Sequence, residues 1–220
     1  MNDTMKKILT VLLALVTLCT YAADNKDKRN DSKYLKGAVP EVEGKVVFQK
    51  TFNTPGKSKD SLYDIMLAWS EKQVKLRKPI NSRVAYSNKE KGEIAVTGEE
   101  YMVFRSTALS LDRTRIYYLL QVICKDNSVD LSMSRIHYLY DENRDGGQKL
   151  TAENTISDKA CLNKSGTKMI RMLSKFRIHT IDLKNKIFNS AARTLGVAKK
   201  KIVKKIVYEE EEEEDGQEDE

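Results

Sequence analysis

The chain first presents Lys6 and Lys7 and then an uncharged run over residues 8–18, ILTVLLALVTL. Residues 23–39 are mostly polar and predict a flexible lead. Pattern resumes at 45–52, KVVFQKTF, as a short strand rich in β-formers. The break TPGKS offers Ser58 as a helix N-cap, and Leu62, Ile65, Met66 and Trp69 recur at i, i+3, i+4, i+7. That stripe predicts a helix ending near Lys75, before Pro79, with Trp69 as a core anchor. Four extended segments follow. Residues 83–87 lead through the turn NKEKG, where Gly92 takes positive φ, into 93–105, expected to kink at Gly98. Residues 114–124, TRIYYLLQVIC, are the most apolar. Ile116, Tyr118, Leu120 and Val122 share one face and Tyr117, Leu119 and Ile123 the other, which predicts a central strand covered on both sides.

After the turn Asp126-Asn127-Ser128, the apolar phase of 129–140 shifts by one residue, from Leu131 and Met133 to Ile136, Tyr138 and Tyr140. Such a shift predicts a β-bulge near Ser134 or Arg135. The polar turn DENRDGG opens into a covering loop with a short helical piece. A last helix is expected from near Ile181, with Ile187, Phe188, Ala191 and Leu195 on its apolar face and Gly196 as its stop. The order strand, helix, four strands, helix defines an α+β class, β-α-β-β-β-β-α, in which an antiparallel sheet packs its helices on one face.

Length and composition bound this picture. At 220 residues the chain suits one domain, assigned to 40–196, and the patterned apolar runs argue against wholesale disorder. The run at 8–18 has 11 residues, a signal-peptide core well short of the roughly 20 that span a bilayer. Thr20 and Ala22 suit a peptidase cleaving after residue 22, so 1–22 reads as a signal peptide. A competing reading makes Cys19 a lipid-anchored residue behind Val16, against which the large Leu18 stands. No later uncharged segment has comparable length, so no transmembrane segment is expected. Export leaves Cys124 and Cys161, which either pair or stay as a buried Cys124 and an unpaired Cys161.

Charge is unevenly distributed. Of 39 basic and 32 acidic side chains, residues 23–196 hold 32 and 21, a body of +11 that could attract an acidic surface. Residues 197–220 form a basic, then acidic, low-complexity tail in which the unbroken run 209–215 repels itself and reads as disordered. Export counts against nucleic acid as partner.

Catalytic groups are sparse. The only histidines, His137 and His179, lie in no ligand-spaced cluster; no GxSxG, GxxxxGK[ST] or GxGxxG motif occurs. Glu99 and Glu100, adjacent in a strand, point to opposite faces. Asp141, Asn143, Asp145 and Gly146 match the start of a calcium loop, but position 12 is Ala152 and Arg144 sits inside it, so a hairpin turn with Gly146 and Gly147 at positive φ is the better reading.

The segments 34–48, 55–69, 97–126 and 135–147, with 175–191 as a C-terminal extension, resemble a family of exported bacterial domains, the domain of unknown function 4468. The likeness covers most of 34–196, with its core at about 40–130. It implies a TATA-box-binding-protein-like (TBP-like) fold with a curved sheet, and an exported bacterial protein. It implies no activity, and a fold does not fix function. The acidic tail departs from the family pattern.

These features together predict a non-catalytic domain in the periplasm or cell envelope of a Gram-negative bacterium, without cofactor or metal. Its partner is an envelope protein or a small ligand, bound on the sheet face or in the groove beneath the helices. Tyr101, Tyr117, Tyr118, Tyr138 and Tyr140 enrich the sheet in aromatics, and Tyr138 and Tyr140 are the candidate partner-binding residues, with core packing as the alternative for each. The alternative function is a carrier of a small hydrophobic ligand between sheet and helix. A hydrolase with an unrecognised site is the weakest reading.

Overall fold

The computed structural model describes residues 28–76 and 80–198 of the chain. The expected signal peptide at 1–22, Cys19 and the acidic run 209–215 lie outside the described residues.

The short pair β1 (Glu41–Val42) and β2 (Lys45–Val46) precedes β3 (Phe48–Asn53) and helix α1 (Lys59–Leu76). Strands β4 (Arg83–Asn88), β5 (Glu93–Ser106), β6 (Leu111–Lys125), β7 (Ser128–Tyr140) and β8 (Gln148–Thr151) follow as a meander. Two one-turn helices, α2 (Ala152–Thr155) and α3 (Asp158–Cys161), lead into the long α4 (Arg171–Leu195). The main sheet is antiparallel, in the order β3-β7-β6-β5-β4, with β8 also on β7. Both long helices lie over one face, where Phe48, Ile116, Val122, Leu131 and Met133 meet Leu62, Met66, Trp69, Ile187 and Phe188.

The helical stripe behaves as its spacing predicts. The Ser58 hydroxyl accepts from the Ser61 amide at 3.3 Å, and Leu62, Met66 and Trp69 are buried while Trp69 donates its indole N–H to Ser190. The β6–β7 turn adds a cap, because the Asp126 carboxylate accepts from the Lys59 amide at 2.8 Å at the positive end of α1.

The expected bulge is present. Tyr117 pairs with His137 and Leu119 with Ser134, so Arg135 and Ile136 together oppose Tyr118, and Arg135 sits at φ 54°. The bulge also divides an edge: β3 pairs with 128–133 of β7 and β8 with 137–140. The 141–147 turn joins β7 to β8 with Gly146 and Gly147 at positive φ, and Arg144 lies 3.8 Å from Asp141.

Four expectations change. Among the described residues strand β6 is covered on one face only: Ile116, Tyr118, Leu120, Val122 and Cys124 are buried, whereas Gln121 and Ile123 are exposed and Tyr117 and Leu119 half-buried. Gly98 does not kink β5. It faces Tyr118 across the ladder, and a Cβ there would stand 2.1 Å from that ring, so the missing side chain lets the ring lie flat over the strand. The lead is folded from Lys28 on, with Tyr34 and Val39 buried.

Helix α4 begins ten residues earlier than Ile181, at Arg171, and stops at Gly196 with φ 79°. The early turns look broken in sequence because Arg177 occupies a core position. Its guanidinium is fully buried and donates to the carbonyls of Tyr34 (2.6 Å), Ile156 (2.5 Å) and Leu35 (2.7 Å) and to the Asp158 carboxylate (2.6 Å). Cys124 and Cys161 are buried and unpaired, and burial pushes both thiols up to about 11.

Replacing Arg177 by Ala is expected to cost about 3–5 kcal/mol in denaturant unfolding, because Asp158 and three carbonyls lose a buried partner. Hydrogen exchange should then show loss of protection at Tyr34 and Leu35. Gly98→Ala should destabilise by about 1–3 kcal/mol, and Tyr118→Ala should absorb much of that cost in a double-mutant cycle.

Candidate functional site

Among the described residues, no element covers the face of the sheet turned away from α1 and α4, the bare face. Its residues come from alternate positions of β3, β5, β6 and β7, and cross-strand register sets which of them meet. Gln49, Ser132 and Gln121 form a polar row towards one end, bordering an open depression of about 580 Å³ that Thr51, Ile123 and Asp130 also line. Towards the other end Tyr117 of β6 and His137 of β7 are register partners, and their rings stack with centroids 4.6 Å apart and planes within 2°. The pair stands as an aromatic ridge between strands.

Each ring keeps one face turned away from the other, Tyr117 towards β5 and His137 towards β8. A cleft lies on either side. The first, of about 260 Å³, is walled by Tyr117, Arg83, Thr97, Glu99 and Arg135; the second, of about 400 Å³, by His137, Leu139, Lys149 and Thr151. His137 Nδ1 lies 3.0 Å from the Arg135 carbonyl oxygen, which can only accept, so Nδ1 is the donor in this contact. The bulge at Arg135 thus both reaches the first cleft and orients the imidazole.

Beyond the ridge an ion-pair ladder stiffens the sheet. Arg115 bridges Glu99 (3.1 Å) and Glu142 (2.7 Å), the Tyr101 hydroxyl donates to Glu142 at 2.7 Å, and the Arg113 guanidinium lies 3.7 Å over the Tyr101 ring. The Tyr101 hydrogen bond, reinforced by Arg115, holds the Glu142 carboxyl below its usual range. Glu99 and Glu100 do point to opposite faces, for Glu100 accepts from Tyr118 on the helix side at 2.6 Å. His179 lies within α4 against Phe104, with ring centroids 5.2 Å apart, and burial lowers its pKa.

The two tyrosines expected to bind a partner stand elsewhere. After the bulge the odd and even positions of β7 exchange faces, which turns Tyr138 and Tyr140 towards α4. Tyr138 is fully buried, its hydroxyl 2.8 Å from that of Thr180 and its ring edge-on to Phe176. Burial raises its hydroxyl pKa. Tyr140 is half-buried, donating to Asp112 at 3.0 Å and accepting from Lys175 at 2.8 Å. Of the five tyrosines only Tyr101 and Tyr117 line the bare face. Sequence reasoning missed the Tyr117–His137 pair; its signal was the bulge itself, since counting back from the β6–β7 turn through one extra residue brings 137 opposite 117.

An antiparallel sheet sheathed by helices on one face only is the arrangement of the TBP-like α+β domains. Residues 48–139 match the family described as "Domain of unknown function (DUF4468) with TBP-like fold". A crystal structure of a DUF4468 family protein from Bacteroides ovatus is 42% identical, with TM-score 0.71, over 78% of this chain and 96% of that one. The chain belongs to this family. It is also similar to the crystal structure of a TBP-like protein from Parabacteroides distasonis, 25% identical with TM-score 0.60 over 73% of this chain and 99% of that one. Among curated proteins nothing matches the chain.

Tyr138→Ala is expected to lower unfolding stability by about 3–5 kcal/mol, as for other large core aromatics, and Tyr138→Phe by about 1 kcal/mol through loss of the Thr180 bond. Equilibrium urea unfolding followed by Trp69 fluorescence reads both; unchanged stability in Tyr138→Ala would contradict its core placement.

Proposed function

We propose that the chain is an exported, non-catalytic binding domain of the periplasm or cell envelope that takes its partner on the bare face of the sheet. The single observation that carries this reading is the Tyr117–His137 ridge, two aromatic rings with a cleft on each side, on a sheet face that no described element covers. Aromatic groups with one apolar side and one wet side are the groups that interfaces favour. Lys6, Lys7 and the uncharged run at 8–18 support export. Among the described residues no helix is long and apolar enough to cross a membrane.

A carrier of a small hydrophobic ligand is the second reading. What favours it is a crevice of about 280 Å³ between β5 and α4, lined by Met102, Ile116 and Leu183 but rimmed by Glu100, Asp182 and Lys186. Three ionisable groups at its mouth suit a purely apolar ligand poorly, so the open face takes precedence.

In intact cells, a photoreactive side chain at Gln121 on the bare face is expected to cross-link a partner more efficiently than one at Met172, exposed on the helix side. Labelling from Met172 alone would overturn the reading. Mature protein should be recovered from the envelope fraction with its N-terminus after residue 22; intact Met1 on cytosolic protein would remove the compartment.

A further inference from the structure

We propose that the ridge and its two clefts form a site for an acidic carbohydrate, a chain of sugars bearing carboxylates, and this rests on the reading of the bare face as the binding surface.

Charge around the ridge carries the first part of the argument. The acids nearest it are already paired with guanidinium groups, Glu99 with Arg115 and Glu142 with both Arg113 and Arg115. The cations are not. Arg83 and Arg135 line the first cleft and Lys149 the second; all three are exposed, and none makes a side-chain hydrogen bond or ion pair among the described residues. Two guanidinium forks and an ammonium therefore surround the rings with an uncompensated positive field, complementary to carboxylate groups.

The available hydrogen-bonding groups narrow the class. Strands β6 and β7 are interior at this point, paired on both edges, β6 with β5 and β7, β7 with β6 and β8. Outside the bulge their backbone donors and acceptors are used in the ladder, and the stretch 134–136, unpaired on the β3 and β8 side, is too short to template an added strand, so recognition passes mainly through side chains. Those side chains offer a π face on each side of the ridge, hydroxyls at Thr97 and Thr151, and one carboxylate, Glu99, held beside Tyr117 by Arg115. A sugar ring presents C–H groups to the negative face of an aromatic ring and donates hydroxyl hydrogens to a carboxylate. A phosphodiester chain also has bases to stack, but its backbone only accepts hydrogen bonds and offers Glu99 no hydroxyl donor.

The rest of the face extends the match. Four residues further along β6, roughly 13 Å by strand rise, lies the row Gln121, Ser132 and Gln49, neutral donors and acceptors bordering the larger depression. A polymer of hydroxyl-rich units can run from the cationic ridge to this amide row along the strands.

Titration calorimetry on the full chain tests the assignment with three probes: polygalacturonate, its fully methyl-esterified form, and a single-stranded oligodeoxynucleotide. Polygalacturonate should bind, and the neutral ester about tenfold or more weaker, as expected from loss of the charge-assisted contacts. Arg83→Ala with Arg135→Ala should weaken polygalacturonate by about tenfold and flatten its salt dependence. Tyr117→Leu should weaken it comparably, and His137→Ala, at an exposed position, reads the same ridge if Tyr117→Leu melts early. Equal affinity for the ester, tighter binding of the oligonucleotide, or binding indifferent to these replacements would each overturn the proposal. If no probe binds while Gln121 still cross-links a partner, the carbohydrate assignment fails alone; if Gln121 also fails to cross-link, the reading of the bare face fails with it.

Discussion

The buried guanidinium of Arg177 is the constraint on which the helix side of this molecule depends. It sits at the junction of three stretches far apart in sequence, the segment around Tyr34 and Leu35, the short helices near Ile156 and Asp158, and α4 itself. A charge taken out of water is tolerable only when its donors find acceptors, and here three backbone carbonyls and one carboxylate take four of the five N–H groups. The polar lead and the irregular segment after β8 are thereby drawn onto α4 and become part of the domain. Tyr34 repeats the pattern nearby, donating to Asp182 at 2.9 Å while Lys33 bonds the same carboxylate.

Closing the helix side in this way leaves the sheet asymmetric. One face is packed with aliphatic and aromatic groups; the other is solvated and carries rows set by register. Two local irregularities set its aromatic groups. The bulge at Arg135 re-aims β7, sending Tyr138 and Tyr140 to the helices and His137 to the bare face beside Tyr117. Gly98 gives up its side chain so that Tyr118 can lie across β5. The same bulge separates the two short strands that share the edge of β7. The placement of the rings thus stems from one extra residue and one missing side chain.

Membership of the DUF4468 family gives the chain its TBP-like architecture and leaves its ligand to be argued from the surface. The surface is mixed: aromatic and cationic at one end, amide and hydroxyl at the other. That division is a property of side chains on a common scaffold, which is why fold and function separate here.

Strand alternation, the i, i+3, i+4, i+7 stripe of α1 and the phase slip in β7 were all legible along the chain, because periods of two and 3.6 are imposed by local backbone geometry. Those periods determined the order of the main elements, strand, helix, four strands, helix, and the position of the bulge, but not the short strands β1, β2 and β8. They could not determine which face of β6 lies bare, since Tyr117 and Leu119 look as apolar as Ile116 and Leu120 until their neighbours are known. Nor could they place Arg177 in the core or stack His137 on Tyr117. Those outcomes rest on partners distant in sequence, carbonyls near residue 35 and a register between strands, and only the folded chain brings such groups within bonding distance.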